Sequence, residues 1–191
     1  MILAIGATGL ITVLPNTPSF ALDINCSNVV SCYGTPQNDV MKGGMGNNQM
    51  HGFGGNDQMT GGPSNDYMVG YDGDDNIYSK EGDDKILGEQ GNDGLWGDIG
   101  NDVIEGSSGN DQIGGAGGAD QLSGGFGADY ICGEAGNDII WHSNFASNSV
   151  MADVASDRSK DTLYCGDGYD RVYYNSGEGD VVSTDCEVKI D

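Results

Sequence analysis

Residues 88–96 read Gly-Glu-Gln-Gly-Asn-Asp-Gly-Leu-Trp, and residues 97–105 read Gly-Asp-Ile-Gly-Asn-Asp-Val-Ile-Glu. They are two of twelve consecutive nonapeptides that fill residues 34–141 without insertion or deletion. Glycine occupies the first position of every copy except the one with Ser79, and the fourth position of every copy except those with Gln37 and Ser64. The eighth position is Met, Ile or Leu throughout. So strict a period predicts a solenoid, because each copy can bury its single apolar residue only against its neighbours.

The sixth position of the nonapeptide carries the acidic side chains. It is Asn48 in the second copy and aspartate in all the others: Asp39, Asp57, Asp66, Asp75, Asp84, Asp93, Asp102, Asp111, Asp120, Asp129 and Asp138. Calcium takes six to eight oxygens from carboxylates and backbone carbonyls. Glycines at positions one and four would allow backbone angles that turn carbonyls inward. The pattern therefore predicts that these aspartates bind Ca²⁺, since a dozen carboxylates stacked without cations would repel one another.

The nonapeptide resembles the consensus of the repeats-in-toxin (RTX, hemolysin-type) family of calcium-binding β-rolls. The resemblance implies an all-β, right-handed parallel β-roll, or β-solenoid, with a turn at positions one to six and a short strand at positions seven to nine. Two nonapeptides would form one coil, which gives about six coils with disulfide-stabilised end caps. Alternate repeats would then stack in two columns, one running from Asp39 to Asp129 and the other from Asn48 to Asp138. Five gaps in each column predict about ten calcium ions, and Asp170, in a later degenerate copy, would be a weaker ligand.

The formal charge of −23, from 30 acidic and seven basic residues, restricts the possible partners. A chain this acidic has no basic patch to neutralise phosphates, which argues against nucleic acid as a partner. Self-repulsion opposes a compact state, so without counterions the chain should stay extended. Ten divalent ions would offset most of that charge, which agrees with the calcium prediction.

The sequence divides into a repeat array and its flanking segments. Residues 1–21 contain an uncharged apolar run followed by Ser19-Phe20-Ala21, typical of a cleaved signal peptide, although a retained apolar segment that docks on a neighbouring subunit is the alternative. Residues 22–33 are predicted to cap the calcium-binding roll of residues 34–141. The period breaks in residues 142–164, which we interpret as a loop excursion, and residues 165–191 contain a degenerate repeat and a C-terminal cap.

Five cysteines in a short acidic chain favour an oxidising compartment, and their odd number leaves at least one without an intramolecular partner. Cys26 and Cys32 are close enough in sequence to close a tight loop in the N-terminal cap. The chain's ending resembles that of short secreted RTX proteins, which suggests a Cys165–Cys186 bridge with Cys132 unpaired. A Cys132–Cys165 bridge is the competing possibility.

Candidate catalytic residues are few. The histidines, His51 and His142, have no nucleophile at a suitable spacing, so we interpret them as surface histidines and expect no enzyme activity. Ice-binding members of the family that this chain resembles carry threonine at position three of the repeat. Position three contains no threonine here, which argues against ice binding. Tyr78 and Trp96 should be neighbours on an outer face, where they could form a subunit or sugar contact.

The expected function is therefore that of a secreted, extracellular calcium-binding structural protein. It would fold on Ca²⁺ and associate with copies of itself at the cell surface, as a filament, surface layer or matrix. A calcium-dependent adhesin or carbohydrate-binding module, contacting a cell-surface polymer, is the alternative. We expect no soluble small-molecule substrate.

Overall fold

The computed structural model describes residues 22–27, 30–142, 160–174, 179–186 and 188–190. The predicted export segment (1–21) and most of the predicted excursion (142–164) lie outside these residues. The described residues form strands and turns, and no helix among them is long and apolar enough to cross a membrane.

Eighteen strands form two parallel sheets of nine strands each. The first sheet contains, in spatial order, β1 (Asp23–Asn25), β3 (Val40–Lys42), β5 (Gln58–Thr60), β7 (Asn76–Glu81), β9 (Gly94–Ile99), β11 (Gln112–Gly117), β13 (Tyr130–Ala135), β15 (Thr162–Asp167) and β17 (Val181–Val182). The second contains β2 (Ser31–Tyr33), β4 (Gln49–Gly54), β6 (Tyr67–Asp72), β8 (Lys85–Gln90), β10 (Val103–Ser108), β12 (Gln121–Phe126), β14 (Ile139–Trp141), β16 (Arg171–Tyr173) and β18 (Val188–Ile190). The chain alternates between the sheets, so every strand pairs with the strand two before it. This arrangement confirms the predicted parallel β-solenoid.

The core is built from one apolar residue per nonapeptide. Ile86 aligns with Ile104, and Ile104 aligns with Leu122, so the eighth position of every second copy stacks in register. These side chains and those of the other sheet form one apolar cluster, with Met41, Met50, Met59 and Met68 at its N-terminal end. Because successive residues of a strand point to opposite faces, a single inward position per strand is enough to define the register.

Two details of the predicted coil were wrong. Most strands inside the array have six residues rather than three, because they continue through positions one to three of the next nonapeptide, as in Lys85–Gln90. The predicted six coils were too few, because the flanking segments add strands at both ends: the nine stacked strands of each sheet are joined by eight steps, which gives about eight coils. These flanks lack the glycine signature but keep the inward apolar position, occupied by Ile24, Leu163 and Val182.

The interruption after β14 does not end the solenoid. Leu163 aligns with Ile131 although they are separated by 32 residues rather than the usual 18, so the intervening chain is an insertion into one coil. Strand β15 begins at Thr162, inside the segment interpreted as an excursion. The array therefore resumes in register on the far side of the insertion.

Disulfides close both ends of the roll. Cys26 is bonded to Cys32 and Cys165 to Cys186, while Cys132 is a free thiol. Cys165 is fully buried and aligns with Gly133 in the first position of the repeat. Cys132 occupies the preceding, outward-facing position, so the competing Cys132–Cys165 bridge does not form.

Candidate metal-binding turns

The position-six side chains form the two predicted columns. In the first column, each backbone N–H donates to Oδ1 of the aspartate one coil later, for example from Asp75 to Asp93 and from Asp93 to Asp111, both at 2.8 Å. The second column repeats this pattern from Asn48 to Asp138, with Asp84 donating to Asp102 at 2.8 Å. All these side chains are at least 95 % buried. One carboxylate oxygen of each aspartate is therefore used to join neighbouring coils.

The second carboxylate oxygen, Oδ2, is buried at these positions without a hydrogen-bond donor among the described residues. This holds for Asp57, Asp75, Asp93, Asp102, Asp111, Asp120 and Asp138. An unsatisfied buried carboxylate oxygen is costly, and a row of them needs a positive group close by. The Oδ2 atoms are thus the strongest structural indication of bound cations.

The glycine at position one makes room for this arrangement. A methyl group built on Gly88 would lie 2.3 Å from Oδ2 of Asp93 and 2.8 Å from the carbonyl oxygen of Gly106 in the next coil. The same approach of a carboxylate and a carbonyl oxygen to one point recurs at Gly106, where the neighbours are Asp111 and Gly124. An all-oxygen set of carboxylates and backbone carbonyls matches the coordination preference of calcium.

Unusual backbone angles were expected for the glycines at positions one and four, and they are confirmed only at position four. Gly91 and the other position-four glycines except Gly46 have positive φ. The other left-handed residue is at position two, where Phe53, Glu89 and Asp98 have φ of 80°, 79° and 76°. Glycine is favoured at position one because of space and not because of its backbone angles.

Three turns near the N-terminus differ from the rest. In these turns the N–H at position two donates to the position-six side chain: Thr35 to Asp39 Oδ2 at 2.6 Å, Gly44 to Asn48 Oδ1 at 2.8 Å and Gly62 to Asp66 Oδ2 at 2.7 Å. None of the three position-two residues has positive φ. We call these closed turns, and we call turns with a left-handed residue at position two open turns. A closed turn satisfies its own position-six oxygen with an N–H group.

The sequence explains two of the closed turns. Position three is Pro36 in one and Pro63 in the other. A proline restricts the residue before it to extended conformations, so position two cannot become left-handed. The fourth position of these copies is Gln37 or Ser64 instead of glycine, which disfavours the second left-handed residue of an open turn.

Ser79, the one non-glycine residue at position one of the array, changes its turn. Its hydroxyl donates to the carbonyl oxygen of Gly97 at 2.8 Å and also lies against the carboxylate of Asp84. This turn therefore contains an additional oxygen at the point where carboxylate and carbonyl oxygens meet.

Burial sets the protonation behaviour of the columns in the absence of metal. It raises the pKa of Asp93 to about 8, and repulsion from Asp111 and Asp75 adds to this shift although the N–H of Asp75 opposes it. Burial also raises the pKa of Asp57 and Asp102 to about 7. A nearby cation would favour the ionised carboxylates instead.

The structure adds position-six residues that the sequence analysis missed. The N–H of Asp129 donates to Asp161 Oδ1 at 2.9 Å, and that of Asp161 donates to Asp180 at 3.1 Å, so the first column continues beyond the insertion. Asp170 continues the second column by accepting from Asp138 at 2.8 Å. Asp161 and Asp180 were missed because their segments lack the glycines that mark the period.

The side chains at position five form a second ladder of hydrogen bonds on the outside of the turns. Here the backbone N–H of each coil donates to the side chain of the preceding coil, whereas in the aspartate columns it donates to the following coil. Oδ1 of Asn92 accepts from the N–H of Asn110 in the next coil at 2.9 Å, and Asn92 itself donates to Asp74 Oδ1. The Asn-rich fifth position of the sequence was the available signal for this ladder. Together the two ladders satisfy backbone N–H groups that the turns would otherwise leave unpaired.

The interpretation of His142 as a surface residue was wrong. Only 2 % of it is exposed, because it occupies position one of its turn, where the preceding members of its column have glycine. His51 is half-buried in an aromatic stack with Tyr33 and Phe53.

A family model made of four copies of the RTX calcium-binding nonapeptide repeat matches residues 33–68, 69–104 and 105–140. These matches cover more than half of the chain and coincide with the array of stacked aspartates. Neither the search of curated proteins nor the search of solved structures found a significant match. The repeat matches and the geometry of the turns together establish that this chain belongs to the RTX calcium-binding nonapeptide repeat family.

Proposed function

We propose that this protein is an exported structural protein whose roll folds when it binds calcium outside the cell, and that the folded roll associates with further copies at the cell surface. The observation that carries the proposal is the row of buried Oδ2 atoms, such as those of Asp57, Asp75 and Asp93, that have no donor among the described residues. Calcium binding is the shared property of the RTX repeats. Export and self-association are the parts that this proposal adds, and it includes no catalytic step.

The turns suggest how many ions the roll holds. Open turns occur at Asp57, Asp75, Asp93, Asp111 and Asp129 in the first column and at Asp84, Asp102, Asp120, Asp138 and Asp170 in the second. If ions lie between neighbouring open turns, four gaps in each column give about eight ions rather than ten. The closed turns at Asp39, Asn48 and Asp66 would need none.

Folding and binding are coupled in this proposal because buried Oδ2 atoms such as those of Asp75 and Asp93 have no hydrogen-bond donor among the described residues. Calcium supplies two positive charges per site and accepts six to eight oxygen ligands. The aspartates hold neighbouring coils together through Oδ1 only if their Oδ2 atoms are also stabilised. Without that stabilisation, stacking would bury like charges beside one another, which opposes the coil.

Chelation tests this part of the proposal. Far-ultraviolet circular dichroism should show the β signal with millimolar Ca²⁺ and its loss in excess EGTA, with recovery when calcium is restored. A spectrum unchanged by EGTA, in protein shown by mass spectrometry to be calcium-free, would contradict it.

The disulfides Cys26–Cys32 and Cys165–Cys186 support export to an oxidising compartment, consistent with an extracellular supply of calcium.

Exposed aromatic side chains support the association step. Tyr78 stacks on Trp96 with ring centroids 4.5 Å apart and planes inclined by 7°, and Tyr78 is 47 % exposed. A second aromatic group, on the other sheet, contains Tyr33, Phe53 and Tyr71.

Electron microscopy of purified protein should show filaments or sheets with calcium and none with EGTA. Particles that remain monomeric at high concentration in calcium would contradict self-association.

The same aromatic groups favour a second candidate function. Stacked rings on an outer face suit sugar binding as well as a subunit contact, so a calcium-dependent adhesin or carbohydrate-binding module is the alternative. A glycan array probed with monomeric protein distinguishes the two. Calcium-dependent glycan binding that is lost in Trp96→Ala, with no polymer in calcium, would favour the adhesin.

A further inference from the structure

The turn that follows β14 has side chains unlike those of the calcium turns. His142 occupies position one, which is glycine in the six preceding members of its column and which lies against the carboxylate oxygens there. Its imidazole therefore points into the turn. Nδ1 of His142 lies 3.8 Å from Oδ2 of Asp161, and the two side chains are 3 % and 0 % exposed.

Asp180 completes the group. One ligand atom from each of His142, Asp161 and Asp180 lies within 4.8 Å of the other two. The two carboxylates are held in place by the column, since Asp161 Oδ1 accepts from Asp129 and the N–H of Asp161 donates to Asp180. These contacts keep both acids in adjacent coils beside the imidazole.

We propose that His142, Asp161 and Asp180 bind one transition-metal ion, with Zn²⁺ as the fitting species, at a site separate from the calcium turns. Imidazole nitrogen suits Zn²⁺ and related ions, whereas the hard Ca²⁺ ion prefers oxygen. In a tetrahedral zinc site with bonds of ~2.0–2.1 Å, two ligand atoms lie ~3.3 Å apart, so the 3.8 Å between His142 Nδ1 and Asp161 Oδ2 would shorten by about 0.5 Å on binding. Three protein ligands leave the fourth position to water.

Charge balance favours a divalent ion, because its two positive charges offset both carboxylates, and the imidazole ligand then selects Zn²⁺ over Ca²⁺. Burial of His142 and Asp161 makes the remaining negative charge costly. A divalent metal ion bound by the three side chains would neutralise the two carboxylates.

The location gives the ion a structural role. His142 and Asp161 lie at the two ends of the insertion, and Asp180 belongs to the following coil. Backbone pairing is also longer here, at 3.1 Å from His142 N to Tyr173 O, compared with 2.7 Å for the equivalent bond of Gly34. One zinc ion would therefore clamp the base of the insertion and join the C-terminal coils to the calcium-binding array.

Metal analysis of the full chain tests this assignment. Untagged protein is equilibrated with excess Ca²⁺ and one equivalent of Zn²⁺, desalted, and analysed for both metals by mass spectrometry. Wild type should retain about one zinc per chain. His142→Gln should bind zinc at least ~100-fold more weakly, because even changes outside the ligand set cost ~10–100-fold. Its calcium content should remain that of wild type.

Two control variants address the other soft ligands of the chain. His51→Ala removes the other histidine and Cys132→Ser removes the free thiol, and both should retain zinc.

Co²⁺ substitution gives a second measurement: it should produce the intense visible absorption bands of a four-coordinate site in wild type but not in His142→Gln. Absence of retained zinc in calcium-loaded wild type, or equal zinc binding by His142→Gln, overturns the assignment. If His142→Gln fails to fold, Asp180→Asn replaces it, with the same expected loss of zinc. Because calcium is measured in the same sample, failure of the zinc site and failure of the calcium proposal are distinguishable.

Discussion

At the scale of single residues, each position-six aspartate has two distinct tasks. Oδ1 of Asp93 accepts a backbone N–H from the neighbouring coil, and Oδ2 lies buried beside the position-one glycine. The first task requires only an acceptor, and the side-chain carbonyl of asparagine is also an acceptor, as Asn48 Oδ1 is for the N–H of Gly44 within its own turn. The second task, that of the buried Oδ2 atom, requires a negatively charged oxygen that can bind a cation. Asparagine therefore separates the two tasks experimentally.

Asp93→Asn should keep the coil but weaken calcium binding. Asp93 adjoins two gaps, so the variant should lose about two ions and need at least ~10-fold more calcium to fold, a shift of ~1.4 kcal/mol. Calcium titration followed by circular dichroism measures the midpoint, and native mass spectrometry counts the ions. Asp66→Asn, in a closed turn of the column that already contains Asn48, is the matched control for the ion count, which should stay that of wild type. Because both oxygens of Asp66 accept N–H groups, from Asn48 and Gly62, this substitution also removes one hydrogen bond, so only the number of ions is compared. Equal loss of ions in the two variants would contradict the distinction between open and closed turns.

The raised pKa values predict that acid partly replaces calcium. In the unfolded chain aspartate titrates near ~3.9, whereas in the metal-free roll burial raises the pKa of Asp93 to about 8 and of Asp57 to about 7. Because the folded-state values are higher, this contribution to stability is complete below the unfolded value and is lost as pH rises through about 7 to 8.

EGTA-treated protein should therefore gain β signal as pH is lowered from about 8 to about 5, which stays above the isoelectric point of 4.1. Calcium affinity should change in the opposite direction, because protons compete for the carboxylates. Circular dichroism of the metal-free protein and calcium titration at each pH measure the two trends. More β structure at pH 8 than at pH 5 in the absence of metal would contradict this account.

At the scale of elements, the strand length follows from the turn that comes after it. Strands that lead into open turns have six residues, as in Lys85–Gln90, because the left-handed residue keeps positions one to three in the ladder. Strands that lead into closed turns have three, as in Gln58–Thr60 before Gly61. The type of turn thus decides both the extent of backbone pairing and the availability of Oδ2.

Much of this could be predicted from the sequence. The twelve-fold period defined the parallel strands, the inward position eight and the two aspartate columns, because each depends on a residue type repeated in register. The strand lengths could not be predicted, because they depend on the backbone angle of position two, where residues as different as Phe53 and Glu89 are left-handed. Pro36 and Pro63 were a usable signal for the closed turns. Asp161 and Asp180 gave no such signal, since their coils keep the apolar position but not the glycines.

Converting a closed turn into an open one should create a calcium site. The double variant Pro63→Ala, Ser64→Gly removes the restriction on Gly62 and allows left-handed angles at position four. Oδ2 of Asp66 would then lose the N–H of Gly62 and face the open turn of Asp84 in the next coil. Native mass spectrometry should detect about one additional calcium ion. Glu81→Ala changes position three of an open turn and serves as the control, with no change in ion number. An unchanged count in the double variant would show that the prolines do not determine binding.

At the scale of the whole molecule, the balance of charge and burial determines whether the roll exists. The core contributes one fully buried apolar side chain per nonapeptide, each stabilising the fold by about 1.5–3 kcal/mol. Against this stand the net charge of −23 and two columns of aspartates only one coil apart. Coils are ~4.8 Å apart, so the repulsion is local to each gap. A cation placed in the gap removes it, whereas a distant counterion does not.

Small-angle X-ray scattering can separate site binding from general screening. Metal-free chain should be expanded, with a radius of gyration on the order of 45 Å, and calcium should reduce it to below about 20 Å. In ~1 M NaCl the Debye length falls to ~3 Å, which screens repulsion between exposed charges. Sodium chloride places no bound cation at the buried Oδ2 atoms, so it should compact the chain only in part. Mg²⁺ at the same concentration as Ca²⁺ carries the same charge but demands octahedral geometry at ~2.0–2.1 Å and retains its waters. It should therefore also fail to restore the compact form, because the carboxylate and carbonyl oxygens of two stacked turns cannot replace those waters. Full compaction by NaCl or by Mg²⁺ would mean that charge neutralisation alone folds the roll and that the spacing of the Oδ2 atoms is incidental.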